Sequence, residues 1–482
     1  MNIRLTALLL LLPLAPLAGN LSANTKNQAP PNIVFIFADD LGFGDLSCYG
    51  AYKIKTPNID QLAADGMKFI DAHSAASLCS PSRYGLLTGR APWRLGKKGN
   101  GYRLDKGQLN IASLLKTKGY QSAAIGKWHL GYSKNWNTLP ITGPLERGFD
   151  YHFGVPSNHN DSTRVFIENN DIYGRKPDEK YEFIKGQHLP KGVHKPRVED
   201  QVDTTLTQKV VEFIHRSKDA PFFVYFTPCC PHTHVTPAAE FRGSSQAGLL
   251  GDYVQELDHH VGTILQTLDE LKLRENTLVI FTSDNGGSPK DFRGTDGMKL
   301  NLASEDGEIL QKYKTAKVDA RALGHLTNGI WQDGKGHPQE GGHRIPFIAR
   351  WPGKIPANKT SNHLFSLTDI LATAADLADI ELPSEGAEDS FSLLPVLLDQ
   401  EPTHRHEAIF ILGDGKADAI AICSGRWKAI ARKNKAWKKV SELYDLENDP
   451  GETANVIAKH PQIAQRLDNA LQKAHQDGRT RP

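Results

Sequence analysis

In Asn32-Ile33-Val34-Phe35-Ile36-Phe37-Ala38-Asp39-Asp40-Leu41-Gly42 the unbroken apolar run Ile33–Phe37 leads, through Ala38, to two adjacent carboxylates. A short continuous run of this kind, rich in β-branched and aromatic residues, reads as a strand buried on both faces. Residues 122–125, 222–226, 278–281 and 345–349 repeat the pattern. Amphipathic stretches between the runs, 58–65, 110–118, 205–217, 253–271 and 367–378, read as helices, the first two stopped by Gly66 and Gly119. Strands alternating with helices of this length predict an α/β fold with a mostly parallel central sheet and helices on both faces.

Composition sets outer limits. The chain has 482 residues, 39% hydrophobic and 23% charged, which is ordinary for a globular protein of two or three domains. Lys and Arg total 57 against 55 Asp and Glu, and no basic run stands out, so no nucleic-acid partner is expected. Five cysteines are an odd count and too few for a disulfide framework. Residues 7–18 are apolar, follow Arg4, contain Pro13 and Pro16, and precede the small residues Gly19, Ser22 and Ala23. That pattern predicts a signal peptide over 1–23 and a secreted or periplasmic protein without a membrane anchor.

In parallel sheets ligands bind beyond the carboxyl ends of the strands. Asp39 and Asp40 follow the first run, Lys127 and His129 the second, His232 the third, and Asp284 and Asn285 the fourth. Singly, an Asp there is usually a turn or cap residue and a His an ordinary surface or core side chain. Jointly, the topology puts all four ends on one rim. Three carboxylates and an amide offer oxygen alone, the preference of Ca²⁺ or Mg²⁺ over Zn²⁺. Lys127, His129 and His232 then suit an anionic ester, phosphate or sulfate, held between metal and ammonium.

The segment Leu78-Cys79-Ser80-Pro81-Ser82-Arg83 resembles the C-x-P-S-R signature of the type I, formylglycine-dependent sulfatases of the alkaline phosphatase superfamily. The first apolar run resembles that family's N-terminal metal strand. Gly126-Lys127-Trp128-His129-Leu130-Gly131 resembles its sulfate-binding loop, and Phe281-Thr282-Ser283-Asp284-Asn285-Gly286 its second metal strand. Gly334-Lys335-Gly336, Glu340-Gly341-Gly342-His343-Arg344 and Glu442-Leu443-Tyr444-Asp445-Leu446 follow in family order.

The resemblance implies an alkaline phosphatase-like catalytic domain over 31–385 and a small C-terminal α+β domain with a short antiparallel sheet over 390–482. It implies that a formylglycine-generating enzyme converts Cys79 to formylglycine, whose hydrated aldehyde is the nucleophile. Asp39, Asp40, Asp284, Asn285 and the modified Cys79 would hold one Ca²⁺, and Arg83 would orient the nucleophile. Lys127 and Lys335 would neutralise the sulfate, His232 would protonate the leaving alcohol, and His129 would take the proton that regenerates the aldehyde. Asn285 and Lys335 stand 50 positions apart, farther than is usual in the family, with 288–327 inserted. Lys290, Lys299 and Lys314 are the alternatives if Lys335 is misaligned.

Residues 157–164, Ser-Asn-His-Asn-Asp-Ser-Thr-Arg, are polar, and Arg164 suits a second sulfate or sugar hydroxyls. The expected substrate is therefore a sulfated carbohydrate, with a carrageenan-type galactan as the specific guess. A phosphodiesterase or phosphonate monoester hydrolase of the same superfamily, or a catalytically silent carbohydrate-binding homologue, are the competing readings.

Overall fold

A computed structural model describes residues 30–95, 102–182, 190–195, 197–288, 320–413, 418–435 and 437–482. The expected signal peptide and most of the insert, including Lys290, Lys299 and Lys314, lie outside the described residues.

The large sheet is built from β1 (Asn32–Ala38), β2 (Met67–Phe69), β4 (Gln121–Lys127), β5 (Tyr151–Val155), β6 (Ile167–Glu168), β7 (Asp171–Ile172), β8 (Phe222–Thr227), β9 (Thr277–Ser283), β10 (Phe347–Arg350) and β11 (Lys359–Ser361), while β3 (Ala72–His73) pairs with β12 (Phe365–Ser366). Its order is β11-β2-β10-β9-β1-β8-β4-β5-β6-β7. The central five strands, β9-β1-β8-β4-β5, are mutually parallel. The run at 345–349 joins as β10, antiparallel to β9, so the sheet is mixed at its flanks.

Burial on both faces explains the unbroken apolar runs. Ile33, Phe35 and Phe37 of β1 enter a core with α2 (Cys79–Thr88), α3 (Ile111–Lys116) and α7 (Ile370–Leu377). Val34, Ile36 and Ala38 enter a second core with α1 (Pro57–Ala64), α4 (Val202–Ser217) and α5 (Gly248–Glu270). Gly119 adopts the left-handed conformation expected after a helix, but Gly66 does not. A Cβ on Gly66 would stand 2.2 Å from the Ala349 carbonyl oxygen, so glycine is there to let α1's exit pass against β10.

The C-terminal region forms a separate four-stranded antiparallel sheet, β13 (Ile409–Leu412), β14 (Ala419–Ser424), β15 (Trp427–Lys433) and β16 (Lys438–Asp445), covered by α9 (Pro461–Gln476). Its fourth strand contains Glu442-Leu443-Tyr444-Asp445, which the sequence marked as a motif without showing it to be a strand. Among the described residues no helix is long and apolar enough to cross a membrane.

Register fixes the rim. Ala38 pairs with Ser283, so Asp39 and Asp284 leave adjacent strands at one level, and Gly126 pairs with Thr227, one residue short of Lys127. Below the β8 exit, Asp203 of α4 accepts from Cys229 N–H at 2.6 Å and from the Tyr253 hydroxyl of α5 at 2.8 Å. The neighbouring Glu256 accepts from Ala238 N–H at 2.8 Å, and burial pushes its carboxyl up to about 8 from 4.5. The folded state therefore keeps a proton that the unfolded chain releases, and stability falls as pH rises from 4.5 to about 8. Urea unfolding across that window should show the decline, and Glu256→Gln should flatten it; an unchanged slope would disprove the assignment.

Candidate active site

The residue that the rim surrounds is Cys79. It opens α2, with the backbone of Leu78 extended before it, and it is buried. The helix ends at Gly89 in the left-handed region, whose N–H donates to Gly85 O at 2.9 Å. One turn into α2, Arg83 comes to lie beneath the rim. Its Nε donates to Asp284 Oδ2 at 2.9 Å, its Nη1 donates to Lys127 O at 3.0 Å, and its guanidinium lies over the Phe37 ring at 5.2 Å.

The carboxylates are paired with cations. Lys127 Nζ donates to both oxygens of Asp39, at 2.8 and 2.7 Å, and Lys335 Nζ donates to Asp40 Oδ2 at 2.6 Å. Asp40 also accepts from Asn285 Nδ2 at 2.8 Å, and its Oδ1 is 3.7 Å from Cys79 Sγ. Its backbone is left-handed, φ +64°, which turns the chain back so that its own N–H donates to Asp284 Oδ1 at 3.2 Å. His232 Nε2 lies 3.7 Å from Asp40 Oδ2, while its Nδ1–H donates to Thr233 O at 2.5 Å. His129, also left-handed, is half-buried, and its Nδ1 is buried with no partner among the described residues.

Electrostatics follow from this packing. Burial raises the Asp39 carboxyl, but Lys127, His232 and Arg83 together hold it well below the usual range. Burial and the Asp39 charge push Asp284 up to about 6. Burial, then Lys127 and Arg83, hold the His129 imidazole well down, so it is neutral and able to accept a proton. Burial and then Asp284 push the Cys79 thiol well up; unmodified, it is a protonated thiol and a weak nucleophile.

The structure brings together ten of the eleven expected site residues: Asp39, Asp40, Cys79, Arg83, Lys127, His129, His232, Asp284, Asn285 and Lys335. Donor atoms of Asp39, Asp40, Cys79 and His232 lie within 4.8 Å of one another. Lys335 reaches the rim across its long separation because the end of the insert docks on it: Lys335 N–H donates to Gly287 O at 3.1 Å, and Thr327 Oγ1 donates to Asp45 Oδ2 at 2.6 Å. Arg164 sits elsewhere on the same side of the sheet. It is half-buried and ion-paired through Nη1 with the buried Glu199, in a cluster with Arg197, Asp161 and His159. Beside His159 lies His234, buried with both ring nitrogens unpartnered among the described residues. From sequence His234 reads as an ordinary loop histidine or a substrate contact, and its spacing of two from His232 is the available signal.

The chemistry of the donor set fits a hard divalent cation: three carboxylates converge, and Asn285 Oδ1 is buried with no hydrogen-bond partner among the described residues. A sulfatase family model matches residues 31–380, and an N-sulphoglucosamine sulphohydrolase C-terminal model matches 331–477. The chain belongs to the sulfatase family. Its relatives include an N-acetylgalactosamine-6-O-sulfatase of Bacteroides thetaiotaomicron, 34% identical, covering 93% of this chain and 94% of that one. The N-acetylgalactosamine-6-sulfatase of Canis lupus familiaris is 33% identical, over 90% and 77% of the two chains. A solved Bacteroides thetaiotaomicron protein, from work on its metabolism of multiple glycosaminoglycans, superposes with TM-score 0.78 at 33% identity, over 93% of this chain and 100% of that one. Ps i-CgsB in complex with k-i-k-neocarrahexaose superposes with TM-score 0.70 at 25% identity, over 92% and 93%. This sulfatase therefore has the type I, alkaline phosphatase-superfamily fold that the motifs implied, and its reaction is the hydrolysis of sulfate esters.

Arg83 is the cation on which two buried carboxylates depend. Arg83→Met should cost about 3–5 kcal/mol in urea unfolding, because Asp284 and Asp39 lose a buried partner. A loss under about 1 kcal/mol would mean that the pairing is worth no more than an exposed ion pair.

Proposed function

We propose that this sulfatase removes sulfate from a carbohydrate, with residue 79, matured to formylglycine, at the centre of a Ca²⁺-holding rim. The observation that carries the reading is the placement of Cys79 among three carboxylates, three cations and two histidines that meet at one buried point. The fixed charges of Asp39, Asp40 and Asp284 balance those of Arg83, Lys127 and Lys335, so a divalent cation leaves the rim net positive, as an anionic sulfate ester requires.

Asp39, Asp40, Asp284 and Asn285, with residue 79, are the ligand set for that ion. Calcium would supply Lewis-acid polarisation, and formylglycine would supply the oxygen nucleophile that a buried thiol cannot. The protein's own groups account for the rest. Lys127 and Lys335, already gathered at the rim by Asp39 and Asp40, neutralise the non-bridging oxygens of the sulfate. His232 is fixed by its Nδ1–H bond to Thr233 O, which leaves Nε2 to protonate the leaving oxygen. His129 Nδ1, neutral and unpartnered, accepts the proton released at residue 79. Arg83 holds α2 against the metal strands and so orients residue 79.

Two things support a sugar substrate: the relatives named for N-acetylgalactosamine 6-sulfate, and the polar loop after β5 that leaves the sheet on the same side as the site. A 6-O-sulfated N-acetylgalactosamine is the first expected substrate and a carrageenan-type galactan the second, the latter supported by the neighbour bound to a carrahexaose. Export through residues 1–23 and maturation by a formylglycine-generating enzyme complete the reading.

Mass mapping of the matured protein should find the aldehyde at position 79, and Cys79→Ala should show no turnover; full activity in that variant would end the mechanism. Exhaustive chelation should abolish activity and lower Tm, with Ca²⁺ restoring both better than Zn²⁺. A panel of 6-sulfated N-acetylgalactosamine, carrageenan oligosaccharides, an aryl sulfate and an aryl phosphate diester tests the substrate. Faster turnover of the diester than of every sulfate would refute the reading. Arg164→Ala should raise KM on the preferred oligosaccharide well beyond its effect on the aryl sulfate, and equal effects on both would remove Arg164 from substrate binding.

A further inference from the structure

A second group of ligand-type side chains lies outside the rim. His73, Glu340, His343 and Cys423 are all buried, with donor atoms within 4.8 Å of one another. A cation already stands among them. Lys428, fully buried on β15, places Nζ 2.8 Å from Glu340 Oε1, 2.9 Å from His343 Nε2 and 3.3 Å from Glu452 Oε1. His343 Nδ1 is 3.0 Å from His73 Nδ1, and His73 Nε2 is 3.0 Å from Asp71 Oδ1. His343 Nε2 lies between the Lys428 ammonium and the Pro338 carbonyl oxygen, 3.1 Å away; with Nε2 accepting from Lys428, His343 Nδ1–H donates to His73 Nδ1 and His73 Nε2–H donates to Asp71. The ammonium fills the place that a metal ion would take, which makes the cluster an ionic lock between the C-terminal sheet and the turn at Glu340–His343.

The lock grips α6 (Glu340–His343), a single turn whose first N–H donates to Glu452 Oε2 at 2.6 Å. Three backbone bonds run from this turn to the rim. Gly286 N–H, directly after Asn285, donates to Gly342 O at 3.0 Å. Gly341 N–H donates to Gln332 O at 2.9 Å, at the base of the loop that carries Lys335. Ser74 N–H, on the segment leading to Cys79, donates to His343 O at 2.8 Å. A Cβ on Gly286 would stand 1.8 Å from Gly341 O, so backbone touches backbone there and a shift of the turn is passed directly to the metal strand.

We propose that Lys428 is a positioning residue for the rim: by pinning α6 it sets Asp284, Asn285 and Lys335, so that the C-terminal sheet is part of the cation site. The inference rests on the proposed function in one respect, that the rim binds a divalent cation. Without the ammonium, Glu340 and Glu452 become uncompensated buried carboxylates, and the turn they share must move apart or take up protons. Groups that orient metal ligands from behind typically govern about 10–100-fold in affinity.

The test uses the matured full-length protein and two variants, Lys428→Met and Leu471→Ala. Leu471 lies in the apolar core between α9 and the C-terminal sheet, so its truncation weakens the same region without touching the lock. Both should lower Tm. Calcium titration calorimetry and aryl sulfate kinetics are then run well below both transitions. Lys428→Met should lose about 10-fold or more in calcium affinity and in kcat, with KM less affected. Leu471→Ala should hold calcium affinity and kcat within about 2-fold. If Lys428→Met does not fold, Lys428→Met/Glu452→Gln, which removes one stranded carboxylate, carries the same expectation. A folded Lys428 variant with wild-type calcium affinity and kcat overturns the proposal, and so do parallel losses in Leu471→Ala. Wild-type protein that binds no calcium would refute the metal reading, and kcat alone would then decide the lock.

Discussion

Three carboxylates and three cations meeting in the interior, Asp39, Asp40 and Asp284 with Arg83, Lys127 and Lys335, are the constraint on which the rest of the structure depends. Buried charge is tolerated where each group has a partner and good geometry, and an unpaired member costs several kcal/mol. Every element that delivers one of these side chains must therefore be held in place by packing that the charges themselves do not supply. The two apolar cores on either face of the sheet do this, and β1 belongs to both.

The scaffold uses short backbone contacts where a side chain would be too compliant. Asp40 turns left-handed and returns its N–H to Asp284, and Gly286 lies against Gly341 with no room for a Cβ. Ser77 N–H donates to Leu412 O at 2.9 Å, which ties the approach to Cys79 to the C-terminal sheet. The small C-terminal sheet is thus joined to the segment before Cys79 by main-chain bonding, and through Lys428 to the turn behind the end of β9.

In the proposed function, substrate choice is set at a different layer. On that proposal the ionic rim recognises the sulfate, which any ester of the class presents, whereas His159 and Arg164 of the loop after β5, Glu199 beyond β7 and the neighbouring His234 differ from it in chemistry. They form a mixed cluster of neutral imidazoles and paired charges. Neutral ring nitrogens and guanidinium groups suit hydroxyls and amides of a sugar as well as a further anion.

The sequence by itself determined the α/β class, the four strand ends and the cysteine motif, because buried parallel strands must be written as continuous apolar runs and because the residues after them are freed from packing. Gly119 was legible as a helix stop for a similar local reason. What depends on partners distant in the chain was not legible. Gly66 is glycine because Ala349 passes close by, the run at 345–349 is antiparallel because of its register with β9, and β16 was hidden in a motif. The motif around Lys335 assigned it to the site, but the contacts of Gly287 and Thr327 that bring its loop back to the rim are visible only in three dimensions. Lys428, one of three basic residues on β15 and the buried one, gains its meaning from Glu340 and Glu452 on other segments. Tertiary structure decided these points because charge pairing and close backbone approach are properties of separations in space, which local sequence pattern does not encode.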